Sequence, residues 1–264
     1  AIKFDIEATM EMGFNGARKH QKLEDPRWLY WADKLGFLVS DEAANAYLYD
    51  EEYARNFTNE WIETVERDYN HPSVVMWTPM NESWGVPDLR DPQQQDHLKA
   101  LYRVTKAIDP TRPVIDNDGW EHTELTDFFA FHDYSRTGEL LFERYKDLGK
   151  PGAPIPPAHR ALMLPGFEYN GSPFYLSEFG GIAYILPGTE VPETAWGYSG
   201  VEKTPESAME RLRGLYKAIA ALPITGICYT QLTDVEQEVN GLLTFDRKMK
   251  FDPKVLREIN DMLR

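Results

Sequence analysis

An α/β barrel of the (β/α)₈ type is the fold class the sequence predicts, on three observations. Apolar runs of strand length alternate with segments of helical period, the pattern of a parallel sheet covered on both faces. The 264 residues suit one such barrel. Most strand candidates also end in polar or charged residues, as strands do when their C-terminal ends share one chemical rim.

The elements follow in order. A helix-like stretch at 5–12 leads into a short strand at 14–18, which ends in Arg18-Lys19-His20. Residues 37–40 form a second apolar run that closes on Asp41-Glu42. A helix at 51–69 repeats Tyr53, Phe57, Trp61, Val65 and Tyr69 every four positions, one face of a 3.6-residue period. Pro72 stops it. The strand at 74–80 ends in Asn81-Glu82. A helix at 97–108 is closed by Asp109-Pro110. Short strands are expected at 113–116, before Asp116-Asn117-Asp118, and at 128–131, before His132-Asp133-Tyr134. Residues 174–177 form a strand that ends at Glu178. Thr204-Pro205, a cap followed by proline in the first turn, opens a helix to residue 222. The strand at 224–229 runs toward Gln231 and Asp234, and Asp252-Pro253 opens a last helix to residue 263.

These candidates make seven strands in one domain, 1–264, with no internal repeat. The Pro- and Gly-rich stretch 149–172 is too long for a routine connector and is expected to cross the active face. Residues 181–204 form a second long loop. The chain does not open on Met, and it is expected to be a piece of something longer.

Composition narrows the partners. With 42% hydrophobic and 13% aromatic residues, a large core is available and the composition disfavours disorder. A formal net charge of −15 disfavours nucleic acid and anionic lipid and suits neutral or weakly charged ligands. No apolar run reaches the ~18 residues of a membrane span. The lone Cys228 permits no intrachain disulfide, which fits a reducing, cytoplasmic compartment.

Glu82 and Glu178 each follow an apolar strand. Taken alone, a rim glutamate is an ion-pair partner. Two of them on one barrel rim make the pair that glycosidic cleavage needs, one donating a proton to the leaving oxygen and the other attacking or stabilising the sugar cation. A separation of about 5–5.5 Å predicts retention of configuration, and about 6.5–9.5 Å inversion.

The sequence around these acids resembles glycoside hydrolase family 2, in the clan of retaining (β/α)₈ glycosidases. "NHPSVVMWTPMNES" is similar to that family's acid/base strand and "FYLSEFGG" to its nucleophile strand. "DPRWLYWADKLGFLVSDEA" and "YTQLTDVEQEVNGLLTFDR" also resemble its barrel. The resemblance runs from about residue 5 to the end. It implies Glu82 as general acid/base on the fourth barrel strand and Glu178 as nucleophile on the seventh. It further implies Asn81 on the sugar 2-hydroxyl, Arg18 holding Glu178 ionised, and Tyr134 bonding the nucleophile. The two carboxyl pKa values must then be pushed apart.

The sequence departs from the family in four places. Many galactosidases of the family carry Arg-x-Ser-His-Tyr-Pro after the second strand; here "RKHQKLEDP" puts His20 and Lys22 on that rim. The magnesium-binding pattern after the third strand is replaced by "DEAANAYLY", with Ala46, Tyr47, Leu48 and Tyr49 at the ligand places, so no metal and no cofactor are expected. His20 and His132 beside Asp133 are expected to bind sugar hydroxyls rather than zinc. Gln231 falls where the clan commonly has a tryptophan. The chain also opens before the second strand. The first barrel strand and the preceding β-sandwich domains are therefore expected to be absent, with only residues 1–4 available to pair at the open seam.

Trp84, Trp120 and Trp196 are candidate platforms for sugar rings, weighed against core or loop packing, while Trp28, Trp31, Trp61 and Trp77 fit the core. Asp116 and Asn117 either meet substrate or cap a loop. The acidic stretch 50–69 reads as a solvated helix face. Two other classes stand beside an exo-β-glycosidase acting on carbohydrate. One is a carbohydrate-binding or inactive barrel without turnover, in which Glu178→Ala would merely alter binding, whereas in the glycosidase it would abolish hydrolysis. The other is a metal-dependent hydrolase, which the missing ligand pattern argues against.

Overall fold

The computed structural model describes residues 2–150, 156 and 159–263. Its elements, in chain order, are α1 (Ile2–Glu11), β1 (Gly16–Arg18), α2 (Pro26–Leu35), β2 (Leu38–Glu42), α3 (Glu51–Asp68), β3 (Val74–Thr78), α4 (Pro92–Ile108), β4 (Phe129–Asp133), α5 (Gly138–Tyr145) and β5 (Phe174–Gly180). Then follow β6 (Ala183–Tyr184), β7 (Val201–Glu202), α6 (Pro205–Ala220), β8 (Ile224–Thr230), α7 (Pro253–Asn260) and a final 3₁₀ turn. Contacts divide the chain into two compact units. Unit 1 holds 1–6, 15–131 and 157–177; unit 2 holds 7–14, 132–156 and 178–264.

In unit 1, β1, β2 and β3 pair in parallel in that order, with Gly16 opposite Leu38 and Glu42 opposite Thr78. Parallel strands need long crossovers, and the helices supply them. Trp61 of α3 and Trp77 of β3 meet edge to face in the core, at 6.1 Å between ring centroids. Their indole N–H groups are satisfied by Thr105 Oγ1 at 2.7 Å and Asp109 Oδ2 at 2.9 Å. A second sheet has the order β4-β5-β8. In unit 2, α5 lies against α6 where two glycines meet: a Cβ on Gly138 would stand 2.1 Å from the Gly214 carbonyl.

Four helices start by one device. Asp25, Asp91, Thr204 and Asp252 cap α2, α4, α6 and α7, each followed at once by proline. The cap's side chain satisfies an orphan N–H, and proline lacks the N–H that would go unpaired. The caps at 204 and 252 fall where the sequence places them, whereas the Asp91 cap starts α4 five residues before the expected position. Neither α2 nor α5 is anticipated.

The expected strand at 113–116 is not formed. Only isolated bridges tie this segment to its neighbour, Trp77 with Val114 and Asn81 with Asp118. Pro113 has no N–H to give, the Val114 N–H goes to Asp127 Oδ2 at 2.8 Å, and the Asp116 N–H turns to Thr126 Oγ1. Side chains thus take the bonds a further ladder would need. The observed β2, β4 and β5 run past the apolar residues into Asp41-Glu42, His132-Asp133 and Glu178. Ile2–Phe4, expected to be available as strand, lie in α1. The edge strands β1 and β8 are mostly half-buried, while β4 is buried throughout and β5 nearly so. Among the described residues, no helix is long and apolar enough to cross a membrane.

Candidate active site

Unit 1 carries an ionic cluster. Arg18, at the tip of β1, lies within 2.6 Å of Glu42 Oε2 and 2.7 Å of Asp118 Oδ2, and all three side chains are essentially buried. Its Nη2 donates to Asn81 Oδ1 at 2.5 Å. His20, whose side chain is half exposed, places Nδ1 3.0 Å from Glu42 Oε1, which also accepts the Gln21 N–H. A guanidinium therefore balances the charge of Glu42 and Asp118, the role a cation would otherwise fill. Because Arg18 can only donate, Asn81 must turn its oxygen toward it and its Nδ2 away. That Nδ2 is buried and has no hydrogen-bond partner among the described residues. An unpaired buried donor is costly, and it marks a place where a ligand oxygen is wanted.

Glu82 follows on a turn, not on a strand. Glu82 and Ser83 both adopt left-handed backbone, with φ of 51° and 60°. Two such non-glycine residues cost about 1–3 kcal/mol each and persist only where the surroundings over-determine them. Here the Glu82 N–H donates to the Asp118 carbonyl at 2.8 Å and the Ser83 N–H to Asn117 Oδ1 at 2.9 Å. Asn117 Nδ2 donates to Ser83 Oγ at 3.0 Å, and Ser83 Oγ donates to Glu121 Oε2 at 2.5 Å. Arg160 holds Glu121 from the long 149–172 stretch, whose described part pairs with residues 121–122 through Ala161 and Leu162. Residues 151–155, 157 and 158 of that stretch lie outside the described residues.

Two expected site residues of unit 1 do other work. Asp116 is fully buried and anchors a turn. It accepts from the Thr123 N–H and hydroxyl, bonds His122 Nδ1 at 2.6 Å, and has no surface on which to meet a sugar. Burial disfavours the imidazolium of His122, yet the Asp116 carboxylate outweighs it and holds the ring's pKa above its ordinary value. Trp120 is only 6% exposed and packs against His159, so it offers no open platform. Trp84 is 40% exposed.

Unit 2 carries an aromatic cluster around Glu178. Tyr134 Oη donates to Glu178 Oε2 at 2.5 Å, and His132 Nδ1 lies 3.4 Å from the same oxygen. Burial, then the charge of Glu178, holds the Tyr134 phenol well above its ordinary pKa, so it remains a donor. Tyr198, from the 181–204 loop, stacks on Tyr134 with centroids 3.5 Å apart and planes within 5°, and Trp196 meets Tyr198 edge-on. Two glycines make room. Gly180 and Gly181 have positive φ, and a Cβ would come within 2.4 Å of the Tyr229 ring and 2.5 Å of the Tyr198 ring respectively. Asp133 belongs to the fold, bound to Arg144, to Tyr145 Oη and to the Ser135 N–H. Gln231 donates to Asn240 Oδ1 at 2.9 Å, which fixes the end of β8. Sequence reading missed Glu42, Asp118 and Tyr198. The first two lay in view as charged strand ends, whereas Tyr198 gave no signal.

A β-galacturonidase of Eisenbergiella tayi, solved with galacturonate bound, superimposes with a TM-score of 0.74 at 18% identity, over 100% of this chain and 47% of that one. A β-glucuronidase of Faecalibacterium prausnitzii gives 0.74 at 20%, over 100% and 45%. These likenesses show the fold. The family model for the TIM barrel domain of glycosyl hydrolases family 2 matches residues 1–148, and the chain belongs to that family. A β-galactosidase of Vibrio cholerae is 32% identical over 136 residues, 48% of this chain, and the chain covers 12% of that relative's length.

Proposed function

We propose that this chain bears the catalytic residues of a retaining exo-β-glycosidase, with Glu178 as nucleophile and Glu82 as general acid/base. The observation that carries the reading is the Tyr134 hydroxyl donating to Glu178 at the tip of a buried strand. A donor on a carboxylate stabilises its charged form, the form a nucleophile needs. In the first step a Glu178 oxygen bonds to the anomeric carbon while the bond to the leaving oxygen breaks and Glu82 protonates that oxygen. In the second, Glu82 takes a proton from water, whose oxygen bonds to the anomeric carbon and releases Glu178. Asn81 supports both steps with its unspent Nδ2, a donor to a sugar hydroxyl whose bond strengthens as positive charge grows on the ring. Arg18 positions Asn81.

The substrate is a β-linked hexoside or hexuronide, the classes named for the relatives above. The domains that complete the relatives' length are the expected partners, and the half-buried edges of β1 and β8 fit a fold that continues beyond these residues. The test uses the full-length protein and a panel of 4-nitrophenyl glycosides, followed by proton NMR of the first sugar anomer released. A β-anomer first is the expected result. An α-anomer first, or activity undiminished in Glu178→Ala, overturns the assignment.

A further inference from the structure

We propose that Tyr47 and Trp84 form a leaving-group subsite that takes a planar ring, so that the preferred substrates are β-glycosides of aromatic or ring-shaped aglycones. The inference rests on the role given to Glu82 above. Trp28, Phe57, Trp61, Trp77 and Trp120 of unit 1 are buried. Tyr47 is 78% exposed and Trp84 40% exposed. They nevertheless hold each other edge to face, with centroids 5.2 Å apart and planes at 87°. That geometry leaves ring faces uncommitted, and an aromatic face is a good surface for another ring.

The pair is built rather than incidental, because Trp84 and the loop that carries Tyr47 are both tied to Asn81. The Trp84 N–H donates to the Asn81 carbonyl at 2.9 Å. On the Tyr47 loop, Asn45 Oδ1 accepts the Asn81 N–H at 3.0 Å while its Nδ2 donates to the Pro79 carbonyl at 2.9 Å. Gly85 completes the turn under Tyr53, whose hydroxyl would stand 2.0 Å from any Cβ there. Asn81 immediately precedes Glu82, so the two rings are registered to the proton donor. The donor's proton goes to the glycosidic oxygen, and that oxygen carries the aglycone. Surfaces on the donor's own turn therefore border the leaving group.

The test compares two substrates of the full-length protein that share one sugar, the 2,4-dinitrophenyl β-glycoside and the β-glycosyl fluoride. Both leave without needing a proton, so their ratio reports contact with the ring and not the health of Glu82. In Trp84→Ala and in Tyr47→Ala, kcat/KM for the dinitrophenyl substrate is expected to fall roughly 5- to 10-fold relative to the fluoride, the scale of one lost aromatic stack. Trp84→Phe and Tyr47→Phe are expected to restore most of that ratio. An equal fall on both substrates assigns the pair a purely structural role and overturns the proposal, as does an unchanged ratio. Failure of the wild-type protein to turn over either substrate, whatever the sugar, overturns the glycosidase reading itself.

Discussion

The two clusters hold their glutamates by opposite means. Around Glu82 the means are ionic and conformational. Arg18, Glu42 and Asp118 balance one another in near-complete burial, and side-chain hydrogen bonds from Asn117 and Ser83 keep two residues in left-handed backbone. Around Glu178 they are aromatic and steric, with one phenol bonding the carboxylate, a second ring stacked on the first, and two glycines admitting the rings. The difference suits the work proposed for each. A proton donor and acceptor must present its carboxyl at one angle through both steps, which a braced turn secures. A nucleophile must stay charged, and the phenolic hydrogen bond to Glu178 stabilises that charge.

Exchanging the acids for their amides breaks the comparison most directly. Glu178→Gln is expected to lower kcat by about 10⁴-fold or more on every substrate, since the attacking atom is lost. Glu82→Gln is expected to lower kcat/KM about 10²–10⁴-fold on substrates with poor leaving groups and far less on dinitrophenyl glycosides, whose first step needs no proton. Steady-state rates across leaving groups of graded acidity check both, and equal profiles for the two variants would erase the distinction. Tyr134→Phe removes one hydrogen bond to a charged group, worth about 1.5–3 kcal/mol, so a loss of roughly 10- to 100-fold is expected. Its pH–rate profile should shift its acidic limb upward, because a carboxylate that loses a donor is a weaker acid. Asn117→Ala, which unties the Glu82 turn, is expected to cost about 10-fold with the acidic limb unmoved.

The smallest expected effect lies in stability. Asp41 is fully buried, and burial, then the neighbouring Asp68 carboxylate, pushes its pKa up to about 8. The folded state therefore keeps a proton that the unfolded chain gives up near pH 4, so stability falls as pH rises from about 4 to 8. Asp41→Asn should flatten that slope. Thermal unfolding at pH 5 and pH 8 checks it, and an equal pH dependence in both proteins would place the titration elsewhere.

Sequence reading reached the architecture because alternation and caps are local signals. Asp252-Pro253 and Thr204-Pro205 state where a helix begins without any tertiary knowledge. It failed at 113–116, where the outcome turned on Asp127 and Thr126 reaching back from another segment to take strand N–H groups. The site shows the same division. Tyr134 and Glu178 are legible because each closes an apolar run. Asp116 resembles them in sequence yet is drawn inward by His122 and Thr123, ten residues or fewer away. Tyr198 arrives from a loop with no period, and nothing short of the folded chain announces it.

The glycines at 180 and 181 carry a practical consequence for engineering. A library that diversifies the residues next to Glu178 will find these two positions intolerant even of alanine, because the first methyl group already collides with a phenol ring. Variants that reshape the surroundings of Glu178 must instead begin at Tyr198 or Tyr229, the rings those methyl groups would strike.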